Sequence, residues 1–107
     1  MAVIESNDSV FKSQLESSDK VIVKFYADWC GSCKLFAPKY RRLSEEEGYS
    51  DVVFLDINAE ENEEARKMAG VDNLPFFATF KGGELKEASS GAKEEFVRGL
   101  IEKLQKA

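Results

Sequence analysis

The 107-residue chain has no histidine, and only two cysteines, two prolines and one tryptophan. Without histidine there is no His-based catalytic triad, and the commonest metal ligand is missing. A metal site needs about four ligands; two thiols fall short unless two chains share one site. Two cysteines also cannot staple a small secreted scaffold. No apolar run approaches the ~20 residues needed to cross a bilayer, so no membrane partner is expected. The opening "MAVIESNDSV" lacks a basic stretch followed by an apolar one, so no signal peptide is expected and the expected location is cytoplasmic. Fifteen Lys and Arg against twenty Asp and Glu give a net charge of −5, which argues against nucleic acid, because phosphate binding needs clustered cations. The short cluster Lys39, Arg41, Arg42 falls on a solvated helix face.

Hydrophobic residues at 43% and charged residues at 33% fit one globular domain spanning 1–107. Ser6 or Asn7 can cap a first helix carrying Phe11 and Leu15 at i, i+4. "VIVKFYA" (21–27) is a β-branched apolar run, the mark of a strand buried on both faces. Cys33, Phe36, Tyr40 and Leu43 recur at helical spacing, with Pro38 expected to kink that helix. "VVFLDI" (52–57) reads as a second buried strand. Asn58 with Glu61 has capping-box spacing, and Gly70 supplies a stop. This alternation predicts parallel strands with right-handed crossovers. After Pro75, two short strands flank Gly82-Gly83, a two-residue hairpin signal. From Ala92 onward, Phe96, Leu100 and Leu104 share a helical stripe. The expected class is α/β, a mixed sheet flanked by helices.

The cysteines stand in "FYADWCGSCK" (25–34), at a strand-to-helix junction. The first lies near a helix N-terminus, where unpaired N–H groups and the dipole stabilise an anion. Such a setting lowers a thiol pKa from ~8.5 towards ~7 or below. The second, one turn on, can close a disulfide on the first, which permits attack by one sulfur and release by the other. Buried structural cysteines are the bland alternative, and a metal shared in a dimer is another. Both cysteines on one turn after a tryptophan favour redox chemistry.

"F-x-A-x-W-C-G-x-C-K", with Pro38 following, closely resembles the thioredoxin family. "LPFFATFKGGEL" is similar to the family's proline segment and hairpin, and Gly91 stands where the family has a glycine before the last helix. The resemblance covers essentially the whole chain. It implies a thioredoxin fold, a mixed central sheet of about five strands flanked by four helices. It implies that Cys30 is the exposed attacking thiol and Cys33 the buried resolving one, with Gly31 and Ser32 between them. Trp29, Leu74, Pro75 and Gly91 would form an apolar groove for an extended substrate, with a cis peptide before Pro75. On its own, Pro75 reads as an ordinary turn proline opening an edge strand.

Three positions depart from the family pattern. Ser32 replaces a proline, adding a hydroxyl and a backbone N–H; either could donate to a Cys30 thiolate and make the pair less reducing. Lys24 occupies the place of the family's buried aspartate, and Asp56 interrupts the neighbouring strand where many members carry lysine. The expectation is a reversed buried pair, Lys24–Asp56, beneath Cys33, with Asp56 handling the proton. The alternative is that each ends at the rim, Lys24 snorkelling to water. Phe76, where threonine is usual, either enlarges the groove or joins the core.

The expected activity is that of a monomeric thiol-disulfide oxidoreductase acting on protein disulfides. By resemblance an NADPH-dependent thioredoxin reductase recycles it; no bound cofactor is implied beyond the Cys30–Cys33 disulfide, and no metal. Rival readings are a less reducing oxidant or isomerase-like member, and a redox-sensing binding module on the same scaffold.

Overall fold

The period-two pattern of the central strands decides how the layers assemble. A computed structural model describes residues 3–107; Met1 and Ala2 of the expected 1–107 domain lie outside the described residues. The elements are β1 (Val3–Glu5), α1 (Asp8–Ser17), β2 (Lys20–Tyr26), α2 (Gly31–Ser44), a 3-10 turn (Glu47–Tyr49), β3 (Val53–Asn58), α3 (Glu63–Ala69), β4 (Phe76–Lys81), β5 (Glu84–Ser90) and α4 (Glu94–Lys106). The sheet order is β1-β3-β2-β4-β5. β1 and β2 run parallel to β3, whereas β4 is antiparallel to both β2 and β5.

Successive strand residues face opposite sides, so β2 feeds two cores. Val21, Val23 and Phe25 join Phe11, Leu15, Leu55, Ile57, Ala65, Phe76 and Phe80 beneath α1 and α3. Ile22 joins Phe36, Tyr40, Leu43, Phe54, Phe77, Val97 and Ile101 beneath α2 and α4. Each buried Val, Leu, Ile or Phe among them contributes roughly 1.5–3 kcal/mol by leaving water. Lys24 and Asp56 are Cα partners in the β2–β3 ladder. The alternation turns both toward α2, where an apolar pair would otherwise stand.

The helix ends show where local pattern sufficed. Asn7 caps α1, accepting from the Ser9 N–H, and Gly70 ends α3 at φ 71°. The Asn58/Glu61 capping box does not form. Asn58 is the last residue of β3; its Oδ1 accepts from the Glu60 N–H at 2.9 Å, making a turn that delays α3 until Glu63. The orphan N–H groups of α3 are satisfied from a distance: the Asp8 carboxylate accepts from Glu64 N at 3.1 Å and Ala65 N at 2.9 Å. Asn62 returns the favour, its Oδ1 accepting from Asp8 N at 2.8 Å. This mutual cap joins residues 54 to 57 positions apart, so no local motif announces it.

In α4 the buried stripe is Val97, Leu100, Ile101 and Leu104. Phe96, expected on that stripe, sits at its edge, half-buried, against Phe77. The Gly82-Gly83 hairpin forms as expected, with φ of 58° and 86° at the two glycines. The short β1 had no sequence signal, because three residues are too few to display a period.

Candidate active site

Strand β2 ends at Tyr26, and the chain turns over Ala27–Trp29 into α2. Cys30 is the N-cap of that helix, with extended backbone, and its N–H donates to Ala27 O at 3.1 Å. Its Sγ accepts from Cys33 N at 3.2 Å, as a capping oxygen would. Cys30 and Cys33 are disulfide-bonded, with Cα atoms 5.3 Å apart. No acidic side chain occupies the first turn of this 14-residue helix, so its positive end is unopposed near the sulfurs.

Two expectations about this turn need correction. Cys30 is only 4% exposed, against 2% for Cys33; in the disulfide form both are buried, packed with Ala27 and Leu74. The backbone donor to Cys30 belongs to Cys33 and not to Ser32, whose peptide lies within the first helical turn. The Ser32 hydroxyl does approach Cys30 Sγ, at 3.6 Å. Gly31 has open space around a notional Cβ and no positive φ, so nothing local demands glycine there.

Around the disulfide, Trp29 is 68% exposed and its indole N–H donates to Glu60 Oε2 at 2.6 Å. Trp29 and Leu74 line one hollow with Ala59, Val71 and Asn73. The Leu74–Pro75 peptide is cis, as the resemblance implied. Pro75 O accepts from Gly91 N at 3.0 Å, which ties the proline segment to the end of β5. A Cβ on Gly91 would lie 2.8 Å from the Phe96 ring, so glycine here is a steric requirement. Phe76 is core: it is 3% exposed and packs edge-on against Phe25.

On the opposite side of Cys33 is a cleft of about 200 Å³ lined by Glu5, Lys24, Tyr26, Asp28, Cys33, Lys34 and Asp56 among others. Lys24 Nζ lies 3.4 Å from Asp56 Oδ1, the lysine side chain 3% exposed and the aspartate 21%. Asp56 Oδ1 is buried without a well-aligned hydrogen bond. Lys24 therefore does not snorkel; its ammonium also faces the rings of Tyr26 and Tyr40, at 5.8 and 5.3 Å from their centroids. Burial pushes the Asp56 carboxyl up to about 6, against the opposing pull of Lys24. Burial and the Asp56 charge hold the Tyr40 phenol well above its ordinary value, and its hydroxyl spans Ile22 O and Leu55 O at 3.1 and 2.9 Å. Sequence reasoning missed Glu5, Tyr26 and Glu60. Glu5 was invisible because β1 was, and Glu60 contacts Trp29 across 31 positions.

A five-stranded mixed sheet carrying a redox disulfide at the head of its longest helix defines a protein-disulfide oxidoreductase of the dithiol type. The family model described as Thioredoxin matches residues 2–105, and the chain belongs to the thioredoxin family. Thioredoxin 1 of Plasmodium falciparum (isolate 3D7) is 32% identical over 103 residues, covering 96% of this chain and 97% of that protein. Thioredoxin-T of Drosophila melanogaster is 38% identical over 102 residues, covering 94% of this chain; the chain spans 64% of that protein's length. The structure of thioredoxin F from spinach chloroplast superposes with a TM-score of 0.90 at 32% identity, covering 97% of this chain and 94% of that one. Two further similar structures concern family partners. One is of a complex of ferredoxin:thioredoxin reductase with thioredoxin f2, TM-score 0.88 at 31% identity, covering 97% and 96% of the two chains. The other concerns thiol resolution in a yeast mitochondrial 1-Cys peroxiredoxin via glutathione/thioredoxin systems, TM-score 0.85 at 28% identity, covering 95% of each. The protein is a thiol-disulfide oxidoreductase whose redox centre is the Cys30–Cys33 pair.

Proposed function

We propose that Cys30 is the attacking thiol and Cys33 the resolving one. The observation carrying this reading is the N-cap position of Cys30, where its sulfur receives the Cys33 N–H and faces the helix N-terminus. A thiolate there attacks a substrate protein's disulfide, forming a Cys30–substrate mixed disulfide and expelling one substrate thiolate. Cys33 then loses its proton and attacks Cys30 Sγ. The Cys30–Cys33 bond forms, the mixed disulfide breaks, and the second substrate sulfur leaves as a thiolate. Two electrons pass to the substrate, whose two thiolates take up two protons. Asp56, on the cleft that Cys33 lines, accepts the Cys33 proton and becomes neutral, leaving the Cys33 sulfur as the thiolate that attacks.

The exposed Trp29 face with Leu74, Pro75 and Gly91 is the surface on which an extended substrate strand lies; Gly31 leaves the approach to the sulfurs open. The domain spans 1–107, works as a cytoplasmic monomer, and is returned to the dithiol by an NADPH-dependent thioredoxin reductase. The Ser32 hydroxyl beside Cys30 favours the thiolate, so the pair is less reducing than the ~−270 mV known for thioredoxin.

Trapping tests the assignment. Cys33→Ser should accumulate a mixed disulfide with a disulfide-containing substrate such as insulin, and Cys30→Ser should not. The reverse pattern would exchange the two roles. Equilibration against a dithiothreitol series gives the potential, and a value at or below −270 mV would sink the argument from Ser32.

A further inference from the structure

Three charged positions stand in line across three strands. Glu5 of β1 pairs with Asp56 of β3, and Asp56 pairs with Lys24 of β2. Both pairings are parallel, so the three side chains emerge on the same face of the sheet. All three line the cleft that reaches Cys33. Glu5 is exposed, but its carboxylate is not free to wander: the Tyr26 hydroxyl donates to Glu5 Oε2 at 2.7 Å. Tyr26 in turn lies under the Lys24 ammonium. The ladder thus sets a carboxylate on one side of Asp56 and an ammonium on the other.

We propose that Glu5 is a positioning residue of the exchange reaction, its carboxylate opposing Lys24 and so setting how readily Asp56 takes the proton of Cys33. The proposal rests on reading Asp56 as the proton acceptor. In the resolving step the Cys33 S–H proton moves to the Asp56 carboxylate as the Cys33 sulfur bonds to Cys30 and the partner sulfur departs with its electron pair. Burial already raises the proton affinity of Asp56 against the pull of Lys24, and the Glu5 carboxylate adds to that rise from the neighbouring strand. The other groups facing Asp56 are Lys24 and Tyr26 from β2, Asp28 at the cleft mouth, and Lys34, Tyr40 and Arg41 from α2. Arg41 acts in the same sense as Lys24. Asp28 and Lys34 carry opposite charges at the rim. Glu5 is the acidic group in register with Asp56 in the ladder, which is why it is the one to vary.

The test pairs two readouts on the full chain, wild type, Glu5→Gln and Glu5→Lys. Carbon-13 titration of the Asp56 carboxyl in the oxidised protein reports its proton affinity directly. Rapid mixing of the reduced protein with a deficiency of dithiobis(nitrobenzoate) reports the resolving step, as the second nitrobenzoate thiolate is released when Cys33 attacks. Two charges ~5–6 Å apart in a water-like medium imply a downward shift of roughly half a pH unit for Glu5→Gln and about one unit for Glu5→Lys. The pH profile of the second release should move by the same amounts. An Asp56 midpoint unchanged in both variants would overturn the role of Glu5. A midpoint that moves while the release profile stays in place would instead show that Asp56 does not take the Cys33 proton, removing the reading on which the proposal rests. A merely structural Glu5 would not give shifts graded by charge.

Discussion

The Lys24–Asp56 pair should be coupled at pH 8 and nearly uncoupled at pH 5. At 3.4 Å, two unit charges in an effective dielectric of ~20 attract by about 5 kcal/mol. The aspartate is about one-fifth exposed and its near oxygen lacks an aligned hydrogen bond, so a coupling of roughly 1–3 kcal/mol is expected. Asp56 has its pKa raised from 3.8 to about 6. A carboxyl raised on folding gives stability that is complete below about pH 4 and lost as pH rises through 6, on the order of 3 kcal/mol in all. Above pH 6 the charged form persists, and there Lys24 offsets part of its burial. One unit below its pKa, Asp56 is about ten-to-one protonated and has little charge to offer. The assay is urea unfolding of wild type, Lys24→Met, Asp56→Asn and the double variant at both pH values. Coupling absent at pH 8 would refute the ion pair, and coupling equal at the two pH values would refute the raised Asp56 pKa.

Three other outcomes follow from contacts elsewhere in the fold. Ser32→Ala removes the hydroxyl 3.6 Å from Cys30 Sγ and should make the pair more reducing by about 10–20 mV, the equivalent of ~0.5–1 kcal/mol; dithiothreitol equilibration reads it. Gly91→Ala drives a methyl to 2.8 Å from the Phe96 ring and should cost about 1–3 kcal/mol by urea unfolding, while slowing insulin reduction. Asp8→Ala strips the acceptor from two α3 amides and should cost about 1–2 kcal/mol, with faster hydrogen exchange at Ala65 than at amides of β2.

What could be read in advance was whatever the chain encodes within a few residues. The β-branched run at 21–25, the helical spacing of Cys33, Phe36, Tyr40 and Leu43, and the two-glycine hairpin each carry their own period or turn chemistry, and each formed. The redox pair was legible for the same reason. Lys24 opposite Asp56 was foreseeable only through the family resemblance, which set the two strands side by side, together with the cost of burying either charge unpaired. What escaped depends on contacts across the fold. Asn58 looked like a helix cap, but the true capping carboxylate is Asp8, from another helix. Cys30 looked exposed, but the proline segment and Ala27 close over it. Phe76 could not be placed until the β2–β4 register set it against Phe25.

The mutual dependence of Lys24 and Asp56 also bears on how such a sequence can change. A chain with aspartate at 24 and lysine at 56 differs by two substitutions, and either made alone sets two like charges face to face at the sheet's centre. A single reversal of this kind costs several kcal/mol, a large fraction of what a domain of this size has to lose. The two polarities are therefore separate neighbourhoods in sequence space, crossed by paired exchange or through an uncharged intermediate. A recombinant joining residues 1–50 of this chain to the remainder of a relative with the opposite polarity would carry two lysines at the crossing. Its failure to fold at neutral pH, and recovery when both halves are exchanged back, would make strand polarity a practical rule for building chimeras.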